Sequence, residues 1–365
     1  MTDFFKWLSS NPIATNAFTI AVSVIVISIV LIYVVAFFQG RSISFWPPNI
    51  GERPSKLKEQ NEDLRATTQL NKSDGNFAPV VQRGMTLTTA TGNKVTIGSN
   101  FYGGANATLY RAKYLNGNEV IVKLFWRGLM PGSPPFELFR QEQRAAEILV
   151  HRNIVTTLDR GLHGGYPFTV MEYFSGGTLR DWLRSHDRIP GQDILAIAGQ
   201  VASAIDFAHS KGVVHRDIKP GNILFESDPH GRVALGDFGI ARIFGAVQRD
   251  ITAIPAMGEF AGSPGYLAPE VFSGDEITKA SDIYGFGVVL YEMIAGKIPF
   301  DEVQEVYAIL QVKITQDSPD IRHYRKDVSE DVAIRLATTL SRNPSKRPQT
   351  AREVLTGIEQ SIERL

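Results

Sequence analysis

The chain is 365 residues long, carries 38 basic against 38 acidic side chains, and is 43% apolar. That even balance leaves no broad field to attract nucleic acid or an anionic surface, and the absence of cysteine removes disulfides, thiol catalysis and cysteine-ligated metal sites together. The length suits one domain of roughly 250 to 280 residues with extra segments, or two domains.

The first feature along the chain is apolar. No charged residue lies between Lys6 and Arg41, and 18–38 is a run of 21 mostly apolar residues. As a helix it would be about 32 Å long, against a bilayer core of about 30 Å. A cleavable signal would carry an apolar region of about 7 to 15 residues behind a basic leader. Here the leader holds only Asp3 and Lys6, and Ala36-Phe37-Phe38-Gln39 is a poor cleavage site. The run predicts one transmembrane helix, with 1–17 as a short extracytoplasmic tail. Arg41, Arg53, Lys56 and Lys58 follow the span, against Lys6 before it, so positive-inside bias puts the C-terminal side in the cytoplasm. Residues 39–85 read as a juxtamembrane linker, with Pro47-Pro48, Pro54 and a polar run over 55–76. Within it, 58–70 fits a short polar helix and a disordered tether equally well.

From Met85 the texture changes. Alternating Thr-rich stretches at 85–90 and 94–98 flank Gly92-Asn93, a hairpin signal. Further strands fit 108–114, 119–125, 155–163 and 167–173, interrupted by one amphipathic helix over 135–150. After about Ser175 the pattern turns helical, over 179–184, 193–210, 279–295, 301–313, 330–340 and 351–363. A small sheet-rich part precedes a larger helical one.

The chemistry concentrates in His215-Arg216-Asp217-Ile218-Lys219-Pro220-Gly221-Asn222, which sets an acid, a lysine and an amide on one loop. Asp237-Phe238-Gly239 follows fifteen residues after Asn222, and Ala268-Pro269-Glu270 comes later still. In that order they read as the H-R-D-x-x-x-x-N, D-F-G and A-P-E runs of phosphoryl-transfer enzymes. From about Val95 to Leu365 the chain resembles a eukaryotic-type (Hanks-type) Ser/Thr protein kinase, of the sort also common in bacteria. The resemblance implies an α+β, bilobal protein-kinase-like fold over 86–365, with a small β-rich lobe and a larger helical lobe, preceded by the single transmembrane helix.

It also implies roles. Asp217 would accept or orient the proton of the acceptor hydroxyl, and Lys219 would steady the γ-phosphate, a lysine that favours Ser/Thr specificity. Asn222 and Asp237 would coordinate Mg²⁺, or Mn²⁺ in its place, because hard cations take oxygen ligands. Lys123 sits in the apolar run Val120-Ile121-Val122-Lys123, where an unpaired ammonium would be costly; its expected partners are the ATP phosphates and Glu142. Backbone groups of Glu172 and Phe174, after Met171 as gatekeeper, would hold the adenine.

The Gly-rich loop departs from the family pattern. Only Gly104 falls on a glycine position, Tyr102 and Ala107 replace the others, and Gly98 and Gly103 could supply flexibility in a shifted loop. Ile121 stands where alanine is usual and should narrow the adenine pocket.

Residues 262–270 resemble the segment that shapes the acceptor site, which small-molecule kinases lack. There Ser263 would contact Asp217 and Lys219, and Thr252 is the leading autophosphorylation candidate, with Arg216 as the partner of the phosphate. Asp282 would brace the catalytic loop and Arg347 would pair with Glu270. The implied protein is a membrane-anchored kinase acting on protein Ser/Thr hydroxyls, with dimerisation through the span an open option and no nucleic acid. The alternative is a pseudokinase scaffold that binds partners or nucleotide without turnover.

Overall fold

The computed structural model describes residues 81–365, except 104–106, 116, 126–139, 141–142, 145, 239–241, 244–263, 274 and 304. The chain divides into two units, Met1–Ser73 and Asp74–Leu365, and every described residue belongs to the second. The span expected at 18–38 lies outside the described residues; among those, no helix is long and apolar enough to cross a membrane.

The small lobe is built on a six-stranded antiparallel sheet. Its strands are β1 (Thr86–Thr88), β2 (Lys94–Gly103), β3 (Ala107–Tyr114), β4 (Asn118–Phe125), β5 (Thr157–His163) and β6 (Tyr166–Glu172), in the order β1-β2-β3-β4-β6-β5. Period-two alternation sends Val120, Val122 and Leu124 of β4 into a core with Val95, Ile97, Phe168 and Val170. Ile121 and Lys123 therefore lie on the opposite face, and that face carries the candidate site. The two ends of the sheet also approach, because Thr89 bridges to Gly161 and the Ala90 amide donates to the Arg160 carbonyl at 2.6 Å.

A buried carboxylate locks that approach. Asp159 is 7% exposed and accepts from Thr91, from the Tyr114 hydroxyl at 2.8 Å and from the Arg160 amide at 2.8 Å. Burial pushes its carboxyl up, but the hydroxyls of Thr91 and Thr89 and the Arg160 amide outweigh burial and hold it at about 2. Of the helix expected at 135–150, the described residues are helical at Arg140, at 143–144 and at 146–148, and the helix ends before Leu149 and Val150.

The large lobe is helical. Its helices are α1 (Leu179–Ser185), α2 (Gly191–Ser210), α3 (Pro269–Ser273), α4 (Lys279–Ala295), α5 (Val306–Thr315), α6 (Glu330–Thr339), α7 (Ala351–Leu355) and α8 (Glu359–Glu363). Short strands β7 (Val213–Val214), β8 (Ile223–Phe225), β9 (Val233–Leu235) and β10 (Arg242–Ile243) form two ribbons, β7 with β10 and β8 with β9. On α2, Ile194, Ile197, Ala198, Val201 and Ile205 recur at helical spacing and are buried. α4 is buried from Ser281 to Ile294, a central helix apolar on nearly every side. Thr278 and Ser281 cap its start reciprocally, and Gly296 at φ 72° ends it.

Two helices differ from expectation for reasons visible in the backbone. The helix expected at 301–313 begins at Val306, because Phe300 adopts φ 63° and the Val303 amide closes a turn onto the Phe300 carbonyl. The helix expected at 351–363 is two helices, divided where the chain turns at Gly357 with φ 85°.

Candidate functional site

The 215–222 loop is shaped from below by Asp282 on α4. Its carboxylate, 2% exposed, accepts from the amides of His215 and Arg216, both at 2.7 Å, and lies 2.8 Å from His209 Nε2. Arg216 has φ 73°, a left-handed conformation that costs energy in a side-chain-bearing residue and is held here by those bonds. The brace expected of Asp282 is thus the observed contact. His215 then takes a defined tautomer. Its Nδ1 accepts from the Asp217 amide at 3.2 Å, so Nε2 carries the proton and donates to the Gly236 carbonyl at 2.9 Å.

Asp217 is 9% exposed, and among the described residues two partners fix its carboxylate. Lys219 Nζ donates to Asp217 Oδ2 at 2.6 Å, and Asn222 Nδ2 donates to the same oxygen at 3.0 Å and to the Asp217 carbonyl at 2.7 Å. A 3₁₀ turn, Pro220–Asn222, brings Asn222 back to Asp217. With its nitrogen committed there, the Asn222 amide offers its oxygen as a candidate metal ligand.

The β8–β9 ribbon links this loop to Asp237. The Gly236 amide donates to the Asn222 carbonyl at 2.8 Å, and Ile223 pairs with Leu235. Asp237 has φ 59°, and its half-exposed side chain (52%) accepts from Lys123 Nζ at 2.8 Å. The Lys123 charge lowers the Asp237 carboxyl to about 2, against burial and with help from the Lys123 hydrogen bond and the Lys219 charge. Phe238 lies edge-on to His215 with ring centroids 4.5 Å apart, joining the two loops through an apolar contact.

The hinge divides its duties. The Glu172 amide donates to the Thr156 carbonyl at 3.1 Å, so its own carbonyl is the backbone group left as a candidate for adenine. Its carboxylate forms a two-pronged pair with Arg232 at 2.8 Å and 2.8 Å. The same guanidinium lies 5.0 Å from the centroid of the buried Phe174 ring. Arg232 belongs to the large lobe, so it fastens the hinge from that side. Ile121 is buried and pairs in register with Met171, which places its bulk beside the expected gatekeeper.

Gly98 has a different task from the one its sequence suggests. A Cβ there would come within 2.6 Å of the Arg111 carbonyl, at a point where the β2–β3 register shifts between Ile97 and Asn100. It permits close approach of two strands and lies outside the phosphate loop. Gly103 ends β2 opposite Thr108. Gly104, Glu142, Thr252 and Ser263 lie outside the described residues.

On the acceptor side, Glu270 and Arg347 form the expected pair at 2.7 Å and 2.8 Å, with Ser281 also donating to Glu270 at 2.7 Å. Burial raises the Glu270 carboxyl, but the Arg347 hydrogen bonds and charge outweigh it, so the net shift is downward. Sequence reasoning missed a second knot. The Tyr266 hydroxyl donates to Glu292 at 2.6 Å, Arg180 pairs with Glu292 at 2.9 Å, and Arg180 also bonds the Tyr266 oxygen. It missed Arg232, Asp159 and Lys313 as well. For Lys313 a signal exists, since it falls three residues after Leu310 on the inward side of α5.

An acid, a lysine and an amide on one loop, joined through Gly236 to an aspartate that meets a lysine of the small lobe, are the kinds of group that phosphoryl transfer uses. The chain belongs to the protein kinase domain family, whose model matches residues 96–357. It is 39% identical over 222 residues to the serine/threonine-protein kinase PknK of Mycobacterium bovis, covering 60% of this chain and 19% of that protein. It is 32% identical over 262 residues to PrkC of Bacillus subtilis, covering 72% and 39%, and 35% identical over 242 residues to PknB of Mycobacterium leprae, covering 65% and 38%. The chain thus spans between about a fifth and two fifths of the length of these relatives.

Proposed function

We propose that this chain is a membrane-anchored serine/threonine protein kinase that transfers the γ-phosphoryl of ATP to protein Ser and Thr hydroxyls, including its own. The observation that carries this reading is the joining of Lys123–Asp237 to Asp217–Lys219–Asn222 through Gly236. The donor set fits a hard divalent cation, Mg²⁺ or Mn²⁺. The Asp237 carboxyl titrates at about 2 and is ionised at any working pH, and the Asn222 oxygen is turned away from Asp217. Metal-bound ATP would supply the γ-phosphoryl group, with ADP as the leaving group.

The chain's own residues would do the rest. Asp237 and Asn222 would hold the metal. Lys123 would bind the α- and β-phosphates with Glu142 at its side, and Gly103 and Gly104 would let the loop backbone approach them. The Glu172 carbonyl and the Phe174 backbone would orient the adenine. Asp217 would accept the hydroxyl proton, and Lys219, already on its carboxylate, would offset charge on the moving phosphoryl. Ser263 would stand beside Asp217 and Lys219, and phosphate on Thr252 would pair with Arg216. Residues 18–38 would anchor the kinase at a cell membrane with the N-terminus outside, where a second copy could pair through the span.

Full-length protein in membranes, given Mg²⁺ and ATP and then mapped for phosphosites, tests the reading. Phosphate on Ser or Thr, Thr252 among them, is expected, and deletion of 18–38 should move the protein from the membrane pellet to the supernatant. Protein that binds nucleotide yet stays silent with Mg²⁺ and Mn²⁺ would instead be a scaffold.

A further inference from the structure

Lys313 lies on α5, outside every group assigned above, and is 1% exposed. Among the described residues no carboxylate bonds its ammonium. Its Nζ instead donates to three backbone carbonyls, those of Pro264 at 3.3 Å, Leu267 at 2.9 Å and Gly265. Burying a cation without a counter-ion is costly unless every N–H finds an acceptor, and three carbonyls match the three N–H bonds of an ammonium. Such an expense for one short loop implies that the shape of that loop matters.

The loop leads to Asp217. Tyr266, at its centre, is held from the other side by Glu292. A Cβ on Gly285 of α4 would meet Ile218 Cβ at 3.3 Å and the Tyr266 carbonyl at 3.6 Å, so the loop and the residue after Asp217 pack against the same bare stretch of helix. Displacement of 264–267 would therefore be felt at the phosphoryl-transfer loop.

We propose that Lys313 is a positioning residue for the acceptor: it pins the backbone of 264–267, and so sets where the acceptor's Ser or Thr hydroxyl lies relative to Asp217. The role rests on the kinase reading above. Its chemistry carries a signature. A neutral amine has two N–H bonds and satisfies at most two of the three carbonyls. Burial pushes the Lys313 amine down to about 7, with Glu270 opposing; the other groups at hand are the Tyr284 ring, 5.1 Å away, and Arg347, 4.9 Å from that same ring. The pin therefore loosens as pH rises through neutrality.

The test uses the full chain, Mg²⁺-ATP and casein as acceptor, beside ATP hydrolysis without acceptor. In Lys313→Met the KM for casein should rise about tenfold or more, with ATP KM and basal hydrolysis within about twofold, since misplacement of a reacting group is costly while nucleotide contacts are untouched. Amide exchange over 265–268 should speed up about tenfold, the change expected from losing roughly 1.4 kcal/mol of local protection. The wild-type casein KM should climb between pH 6.5 and 8.5, and that of Lys313→Met should stay flat. An unchanged casein KM with a lowered melting temperature alone would overturn the positioning role and leave a prop for the fold. If Lys313→Met does not fold, Gly265→Ala presses the same loop from Ile298, whose Cδ1 would lie 2.5 Å from the new Cβ. It should raise casein KM and spare ATP KM, and equal KM values would overturn the role. A wild type that turns over no ATP would defeat the kinase reading, and the positioning role with it, even where exchange still shows the pin.

Discussion

Two ion pairs of the same chemistry have opposite fates in this molecule. Glu270–Arg347 is sealed, with side chains 4% and 0% exposed, while Lys123–Asp237 has one partner half open to solvent. The sealed pair fixes α3 and the loop before it to the base of the large lobe. The open pair joins a small-lobe strand to the large lobe, and each partner has a second use in the proposed reaction. Burial thus separates charge kept for architecture from charge kept for chemistry. Asp159 adds a third case, a buried carboxylate held by hydroxyls and an amide, with no cation in contact among the described residues.

The contrast is sharpest when one partner is removed. Arg347→Ala leaves Glu270 buried and unpaired, and unfolding by urea should show a loss of about 3 to 5 kcal/mol. Lys123→Met should barely move the denaturation midpoint yet lower kcat/KM by about 10²- to 10³-fold, the scale of losing one preorganised charge contact. A large stability loss in Lys123→Met, or none in Arg347→Ala, would erase the distinction. Asp159→Asn should cost about 1 to 3 kcal/mol, because a donor-bearing amide cannot accept all the bonds the carboxylate does. Its pH dependence gives the sign. The folded carboxyl is depressed from 3.8 to about 2, so its stabilisation is present above about pH 4 and is lost as pH falls toward 2. Acid unfolding followed by circular dichroism should show that segment in the wild type and a flatter one in the variant.

Much of this was legible in the sequence, for a physical reason. Phosphoryl transfer needs particular side chains at particular intervals, so Asp217, Lys219, Asn222 and Asp237 announce themselves. Lys123 stood out as a lysine in an apolar strand, and the structure sets it opposite the core-facing Val122 and Leu124. Lys313, Arg232 and Asp159 did not show, because a buried charge is tolerable only where partners far along the chain converge on it. Asp159 draws on Thr91 and Tyr114, and Arg232 on Glu172, separations of 68, 45 and 60 residues. The division of 351–363 escaped for a smaller cause, a single left-handed turn at Gly357 inside an otherwise helical pattern.

In the proposed reaction Asp217, held by Lys219 and Asn222, activates the acceptor hydroxyl. Single-turnover transfer of radiolabelled γ-phosphate by the full chain, wild type against Asp217→Asn, measures it most directly. Label is expected on Ser or Thr in the wild type, with a rate at least about 10³-fold lower in a variant that still binds nucleotide and unfolds at the same temperature. Equal labelling of the two proteins would contradict it.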